Sequence, residues 1–142
     1  MRTKILDCTL RDGGYYTNWD FDDHVIQNYI NYTNHLNIDF IEIGYRNLKN
    51  QHEYKGQFYY LPLKTLKYFR ENSKHKIAIM IDFKSVPIDK IKELLFDCRE
   101  FIDLVRIAIS PLNLPNCQNY INEINKMNFK VALNIMHLSE WE

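Results

Sequence analysis

Apolar residues along this chain alternate between two kinds of spacing. Short runs that are apolar at nearly every position are typical of strands buried on both faces of a sheet. Between these runs, apolar residues recur three and four positions apart, which indicates helices with one buried stripe. The alternation predicts the order β-α-β-α-β-α-β-α-β, with strands at about residues 4–9, 40–43, 76–81, 104–109 and 130–136.

Polar residues and prolines indicate where the helices begin. Asp22 or Asp23 can cap the first helix, because a carboxylate accepts hydrogen bonds from the free N–H groups of a first turn. Its apolar stripe predicts that this helix extends to about residue 36. Pro62 and Pro87 suit the first turns of the next two helices. A fourth helix is expected over about residues 118–127.

Strands joined by helices in units of about 30 residues predict a parallel α/β fold. Two architectures fit, an open doubly wound sheet and a (β/α)8 barrel, and the barrel usually needs about 250 residues. The 142 residues supply about four and a half βα units, so we expect the N-terminal half of a TIM barrel, forming one domain over residues 1–142. We interpret the end of the chain, just past a strand, as a truncation.

The amino-acid composition excludes some classes of function but adds little about the fold. Eighteen basic and eighteen acidic residues give zero net charge, which argues against a nucleic-acid or anionic-membrane binder. The three cysteines are widely spaced and form no CxxC, which favours a reduced, cytoplasmic protein over a disulfide framework. No apolar stretch approaches the roughly 20 residues of a membrane helix. We therefore expect a cytoplasmic protein with a small-molecule ligand, and neither nucleic acid nor membrane as partner.

Candidate chemistry begins where the first strand ends. Ligands of α/β proteins bind at the carboxyl ends of the strands, and Arg11 and Asp12 lie at such an end. Asp12 could be a hard oxygen ligand for Mg²⁺, Mn²⁺ or Zn²⁺. Arg11 could hold a developing oxyanion or a substrate carboxylate through its planar fork. Gly13 and Gly14 would let the backbone turn sharply, and a surface Arg–Asp pair beside a Gly-Gly turn is the alternative interpretation.

Two further features support a site at this edge of the sheet. Arg106 lies inside the fourth strand, where a guanidinium needs an anionic partner such as Glu42 or Asp7. Such a pair could support a site or be purely structural.

The loop over residues 46–60 is longer than a usual βα connection, so we expect either a lid over the active-site face or a solvated insertion.

The first segment resembles the opening of the DRE-TIM metallolyases, a superfamily that includes 3-hydroxy-3-methylglutaryl-CoA lyase, isopropylmalate synthase and 4-hydroxy-2-oxovalerate aldolase. Residues 41–46 and 134–136 look like two more of its segments, on the second and fifth strands. The resemblance implies that Asp12 binds a divalent metal, Mg²⁺ or Mn²⁺ before Zn²⁺, and that Arg11 stabilises an enolate. The family's motif Asp-x-Thr-Leu-Arg-Asp-Gly is matched by Asp7, Thr9, Leu10, Arg11, Asp12 and Gly13.

The resemblance also implies a reaction. We expect a metal-dependent carbon–carbon lyase or aldolase, or a Claisen-type synthase, acting on a 2-oxo acid through an enolate without a Schiff-base lysine. Glu42 matches an active-site glutamate of the family, and we assign Asn134, Arg46 and Arg106 to substrate binding. Tyr15 stands where the aldolase branch carries a histidine base, so it is either a proton relay or an aromatic wall.

One departure from the family limits these expectations. Its metal site also uses a His-x-His pair, and no two of the five histidines here are two positions apart. We therefore expect an incomplete metal site and little or no catalytic activity of this chain by itself. The alternative is a non-catalytic half-barrel that serves as an interaction or assembly module, with its open sheet edges covered in a homo-oligomer.

Overall fold

The computed structural model describes residues 2–49 and 53–140. The part of the long loop that includes His52 lies outside the described residues. The strands are β1 (Leu6–Asp7), β2 (Phe40–Tyr45), β3 (Lys76–Asp82), β4 (Leu104–Ile109) and β5 (Lys130–Ile135). The α-helices are α1 (Thr9–Thr17), α2 (Asp23–Thr33), α3 (Gln57–Tyr60), α4 (Leu63–Asn72), α5 (Ile91–Leu95) and α6 (Cys117–Lys126).

The sheet distinguishes between the two expected architectures. All neighbouring strands are parallel, and their order in space is the order in the chain, β1-β2-β3-β4-β5. A doubly wound sheet reverses its strand order at a switch point, and this sheet does not. The five strands curl into half of a TIM-type barrel with helices, which confirms the predicted fold class.

Strand register assigns the polar residues of the sheet to one face. Met80 pairs with Arg106, and Ala108 pairs with Asn134, so these residues share the concave face together with Glu42, which pairs with Ala78. The alternate positions point to the opposite face. That face carries fully buried aliphatic residues, which form one core with residues of α2, α4 and α5: Ile41, Ile43, Ile77, Ile79, Ile81, Val105 and Ile107.

The largest difference from the predicted elements is at the Arg-Asp-Gly-Gly segment. We predicted a strand to residue 9 followed by a glycine turn and a polar loop, and this was wrong. Strand β1 has two residues, and the segment forms helix α1. Neither Gly13 nor Gly14 has a positive φ. A Cβ on Gly14 would lie 2.1 Å from Cδ1 of Trp19, so this glycine admits an indole ring rather than a turn.

Asp7 organises the start of α1. Its Oδ1 accepts from the backbone N–H of Thr9 at 3.1 Å, and its Oδ2 accepts from the Thr9 hydroxyl at 3.0 Å. The hydroxyl of Tyr29, in α2, donates to the same carboxylate at 2.6 Å. An N–H group left free at a helix start is thereby satisfied, and α1 is tied to α2. Arg11 and Asp12 follow within the first turn.

The remaining elements follow the predicted order with different bounds. Helix α2 ends at Thr33 rather than near residue 36, and Val25 and Leu36, expected in its buried stripe, are 40% and 53% exposed. The helix expected after Pro87 is divided into a 3-10 turn, α5 and a second 3-10 turn. Within the described residues, no helix is long and apolar enough to cross a membrane.

Candidate active site

Charged and polar side chains from α1 and three strands meet on the concave face of the sheet. Arg11 donates from Nε to Glu42 Oε1 at 2.8 Å, and from Nη1 to Asp12 Oδ1. Arg106 donates from Nη1 to both oxygens of Glu42, each at 2.9 Å. Its Nη2 donates to Asn134 Oδ1 at 2.7 Å. We call these five residues the arginine network, a continuous set of hydrogen bonds from α1 to β5.

Burial differs strongly within the arginine network. The side chain of Glu42 is fully buried, those of Arg11 and Arg106 are 11% and 17% exposed, and that of Asp12 is 55% exposed. Two guanidiniums thus share one buried carboxylate, with a solvated carboxylate at the margin. Charges act more strongly on one another here than in water, because the local dielectric is lower. The buried part of the network carries an excess of one positive charge.

The pKa of Arg11 reflects its two carboxylate neighbours. Burial acts to lower the pKa, but the hydrogen bond and the charge of Glu42, with a smaller effect of Asp12, raise it above its ordinary value. Arg11 is therefore a permanent cation at any physiological pH. Its Nη2, like Nε of Arg106, has no hydrogen-bond partner among the described residues. These N–H groups can donate to an anion on the concave face.

Tyr15 lies beside the arginine network rather than in it. It follows Arg11 by four residues on α1, so the two side chains share one face of the helix. Its hydroxyl is 3.0 Å from the hydroxyl of Tyr45, at the end of β2. Burial, then the hydrogen bond with Tyr15, raises the pKa of Tyr45. The Tyr45 phenol therefore stays protonated at neutral pH and can donate a hydrogen bond.

Arg46, which we expected to bind substrate, is not brought to this face. Its Nε donates to the carbonyl of Leu94 at 3.0 Å, and its Nη1 donates to the carbonyls of Tyr60, at 3.3 Å, and Leu61. These carbonyls belong to α5 and to the end of α3. The guanidinium thus ties the long loop to the helix layer. Arg46 leaves the concave face because successive side chains along a strand point to opposite faces, and Tyr45 occupies the concave one.

The described residues do not complete a metal site. Within the part of the chain that the structure describes, no group of three His, Cys, Asp or Glu side chains could hold a metal ion. Asp12 offers one partly exposed carboxylate, whose Oδ2 accepts from the thiol of Cys8 at 3.1 Å. Burial, then the hydrogen bond to Asp12, raises the pKa of this thiol, so Cys8 stays protonated at neutral pH. A single carboxylate would hold a divalent ion only weakly.

Sequence reasoning missed two residues next to the network. Tyr45 lay beyond the strand predicted at residues 40–43, but it extends β2 after a register shift between Glu42 and Tyr45. Asn47 was not singled out, although it is 4% exposed. A polar residue soon after a strand was the available signal, and such residues are too common in loops to be diagnostic.

No protein-family model matches this chain, and no curated protein is similar to it at a significant level. A solved structure is similar: the crystal structure of the N-terminal domain of a "putative aldolase" from Bacteroides vulgatus, with a TM-score of 0.93 and 45% sequence identity. The similarity covers 98% of this chain and 46% of that one, so the chain spans about half the length of its structural neighbour. The half-barrel described here is therefore an aldolase-like fold.

Proposed function

We propose that this chain provides the anion-binding part of an aldolase or lyase active site of the DRE-TIM type, acting on a 2-oxo acid. The observation that carries the proposal is the fully buried Glu42 shared by Arg11 and Arg106. A 2-oxo acid brings a carboxylate, and cleavage of the carbon–carbon bond near its carbonyl generates an enolate. Guanidiniums already fixed in place stabilise both negative charges without reorganising during the reaction.

Glu42 orients the two arginines in this proposal. Both of its oxygens already accept hydrogen bonds from guanidinium groups, so its lone pairs face the arginines. It therefore acts as a positioning residue and not as the proton-transfer group. Asn134 fixes the other edge of Arg106 through its Oδ1. The two guanidiniums are thereby held in place on the concave face.

Proton transfer is assigned to the tyrosine pair. The hydroxyls of Tyr15 and Tyr45 are 3.0 Å apart, and Tyr15 is one helical turn from Arg11. Burial keeps the Tyr45 hydroxyl protonated at neutral pH, so it carries a proton that it can share with a developing oxyanion. Tyr15, which is 62% exposed, would connect this donor to solvent. This retains the relay expected of Tyr15 and adds Tyr45 as its buried partner.

Metal dependence is a separate part of the proposal. Asp12 would contribute one oxygen ligand, with the other ligands supplied by groups outside the described residues. A bound divalent cation would polarise the oxo-acid carbonyl. The chain's own contribution is the position of Asp12 at the exposed margin of the network, where Arg11 holds its Oδ1.

The experiment is a calorimetric titration of the chain with pyruvate, comparing the wild type with Arg106→Met. Removing Arg106 should weaken binding about tenfold or more, because a charge-assisted hydrogen bond to the ligand is lost. The Glu42–Arg11 pair remains, so the fold should be retained, as circular dichroism can verify. Arg99→Met is the matched control, since Arg99 is an exposed arginine outside the network. Equal affinities of Arg106→Met and Arg99→Met would contradict the proposal.

The same titration with added MgCl₂ tests the metal separately. We expect Mg²⁺ to strengthen pyruvate binding in the wild type and to have no effect in Asp12→Ala. An equal effect of Mg²⁺ in both proteins would remove Asp12 as a ligand and leave the anion site intact. Binding is measured rather than turnover, because the chain spans 46% of its structural neighbour and we expect little activity of it alone.

A second candidate is an assembly module in which two copies cover each other's open sheet. Strand β5 pairs only with β4 among the described residues, and its central apolar positions remain partly exposed. Because the net charge is zero, two copies of the chain do not repel each other over long distances, which favours their association. Sedimentation velocity over a wide concentration range tests this candidate. A concentration-dependent dimer supports it, and a monomer throughout contradicts it.

A further inference from the structure

A second binding feature lies beside the arginine network, at the ends of β2 and β3. It is a cavity of about 280 Å³ to which α1, the end of β2 and the long loop all contribute. We call it the tyrosine cavity. Its walls include Tyr15, Trp19, Tyr45, Asn47, Lys55 and Tyr59.

The tyrosine cavity contains a buried donor without a partner. Asn47 is 4% exposed, and its Nδ2 has no partner at ordinary hydrogen-bond geometry among the described residues. The Tyr59 hydroxyl is near enough for this amide to lower the pKa of Tyr59 against the larger effect of burial, but it does not complete a hydrogen bond of that geometry. The Oδ1 of Asn47 accepts from the backbone N–H of Asp82 in a long contact of 3.5 Å, which leaves the N–H₂ end of the amide as the donor. Buried polar groups are rarely left unpaired, because they lose hydration without compensation. The free N–H₂ group therefore points to a ligand with an oxygen acceptor.

The cavity lies next to the arginine network along α1. Tyr15 is one turn beyond Arg11 on α1, and its hydroxyl meets that of Tyr45 at 3.0 Å. Arg11 and Tyr45 are close enough that the charge of Arg11 lowers the pKa of Tyr45 against the larger effect of burial. One substrate can therefore extend from the guanidiniums, past the two hydroxyls, toward Asn47.

The charge of the cavity differs from that of the network. Lys55 is paired with Glu53 at 2.7 Å, and its amine also lies over the ring of Trp19 at 5.3 Å from the centroid. The carboxylate of Asp82 adds a negative charge at the cavity wall, where it accepts from the Ser85 hydroxyl at 2.6 Å. No excess positive charge is left for an anion. Aromatic walls with one amide donor suit a neutral ligand that has both carbon–hydrogen surface and an oxygen acceptor.

We propose that the tyrosine cavity binds the neutral half of the substrate, a short chain bearing a carbonyl or hydroxyl oxygen that accepts from Nδ2 of Asn47. This rests on the proposed function, in which the arginine network holds the oxo-acid half. The two halves of an aldol substrate differ in charge in this way, and the two parts of the site differ correspondingly. Asn47 is then a specificity-determining residue for the aldehyde half.

The test is a titration of the ¹⁵N-labelled chain with hydroxyacetone, a neutral carbonyl compound, followed by NMR of the side-chain amides. We expect the Asn47 amide signals to shift. Asn47→Asp replaces the donor with an acceptor, so hydroxyacetone should bind at least about fivefold more weakly. The matched control is Asn125→Asp, the same change at an exposed position of α6, and it should bind like the wild type.

The outcomes separate this inference from the proposed function. If pyruvate binds the network while hydroxyacetone leaves the Asn47 signals unshifted, or binds both variants equally, the inference alone is wrong. If hydroxyacetone binds at Asn47 and pyruvate does not bind, the proposed function fails and the neutral-ligand site stands. Should Asn47→Asp unfold, Tyr15→Phe removes an exposed wall hydroxyl instead. It must then weaken hydroxyacetone binding, and unchanged binding would overturn the inference.

Discussion

Glu42 is the residue on which the geometry of the candidate site depends. It lies on β2 with no exposed surface and accepts from guanidiniums that come from α1 and β4. Placing a carboxylate there is costly unless it is paired, and each arginine would be costly without it. The carboxylate and the two guanidiniums therefore stabilise one another, which is the expected property of a prearranged anion site.

Neutralising Glu42 should destabilise the fold. Glu42→Gln leaves two partly buried guanidiniums facing a neutral amide, so we expect a loss of about 3 kcal/mol in the free energy of unfolding, measured in urea. Glu123→Gln is the matched control, since Glu123 is 39% exposed and pairs with Lys126 on the surface of α6. The free energy of unfolding of Glu123→Gln should differ from that of the wild type by less than about 0.5 kcal/mol. Equal losses in the two variants would show that the network contributes little to stability.

The cysteines should differ in reactivity in the order of their burial. Burial raises the pKa of Cys98 to about 11, so only about 0.1% of this thiol is ionised at pH 8 in the folded chain. Cys8 is only half buried. With a thiol reagent at pH 8, we expect Cys8 to be modified first and Cys98 only in urea, as read by peptide mass spectrometry. Labelling of Cys98 should accelerate as the pH rises toward 11. Modification of Cys98 at equal rates with and without urea would be inconsistent with this placement.

At the scale of elements, helix α1 is where the structure differs most from the elements predicted from the sequence. Two adjacent glycines after a strand favour a turn on general grounds, and nothing in the local pattern shows that Trp19 returns to cover Gly14. That contact is tertiary, so it overrides the local preference. Strand β4, by contrast, was predicted to the residue, because the apolar run ends at Ser110-Pro111.

The two glycines of α1 should respond in opposite directions to the same substitution. Gly14→Ala places a Cβ 2.1 Å from Trp19 Cδ1, so we expect overpacking to cost about 1–3 kcal/mol. Gly13→Ala meets only the ring of Phe21 at 3.9 Å and should stabilise the helix by about 0.5–1 kcal/mol. Urea denaturation measures both. Stabilisation by both substitutions would contradict the packing of Trp19 on α1.

Part of the candidate site was predictable from the sequence, because the carboxyl ends of parallel strands lie at the same edge of a sheet. The motif placed Arg11 and Asp12 at one strand end, and the need of Arg106 for an anion pointed to Glu42 or Asp7. Glu42 is its partner in the structure. The position of Arg46 was not predictable. Its direction depends on the register shift in β2, which no spacing in the sequence reveals.

At the scale of the whole molecule, the half-barrel presents a concave face whose centre is ionic. Consecutive parallel strands place Glu42, Arg106 and Asn134 on one wall, and α1 brings Arg11 from the side. The similarity to the N-terminal domain of a longer chain agrees with this arrangement. Two regions of different charge then lie side by side, the cationic network and the tyrosine cavity, whose wall carries no excess of positive charge.

The central claim is that the arginine network binds a 2-oxo acid through its negative charge. The most direct measurement compares pyruvate with pyruvamide, its neutral amide, by NMR titration of the wild-type chain while observing the arginine Nε–H signals. We predict that pyruvate shifts the signals of Arg11 and Arg106 and binds at least about tenfold more tightly than pyruvamide. Equal affinity for the two compounds, or binding that leaves both arginine signals unshifted, would contradict the account.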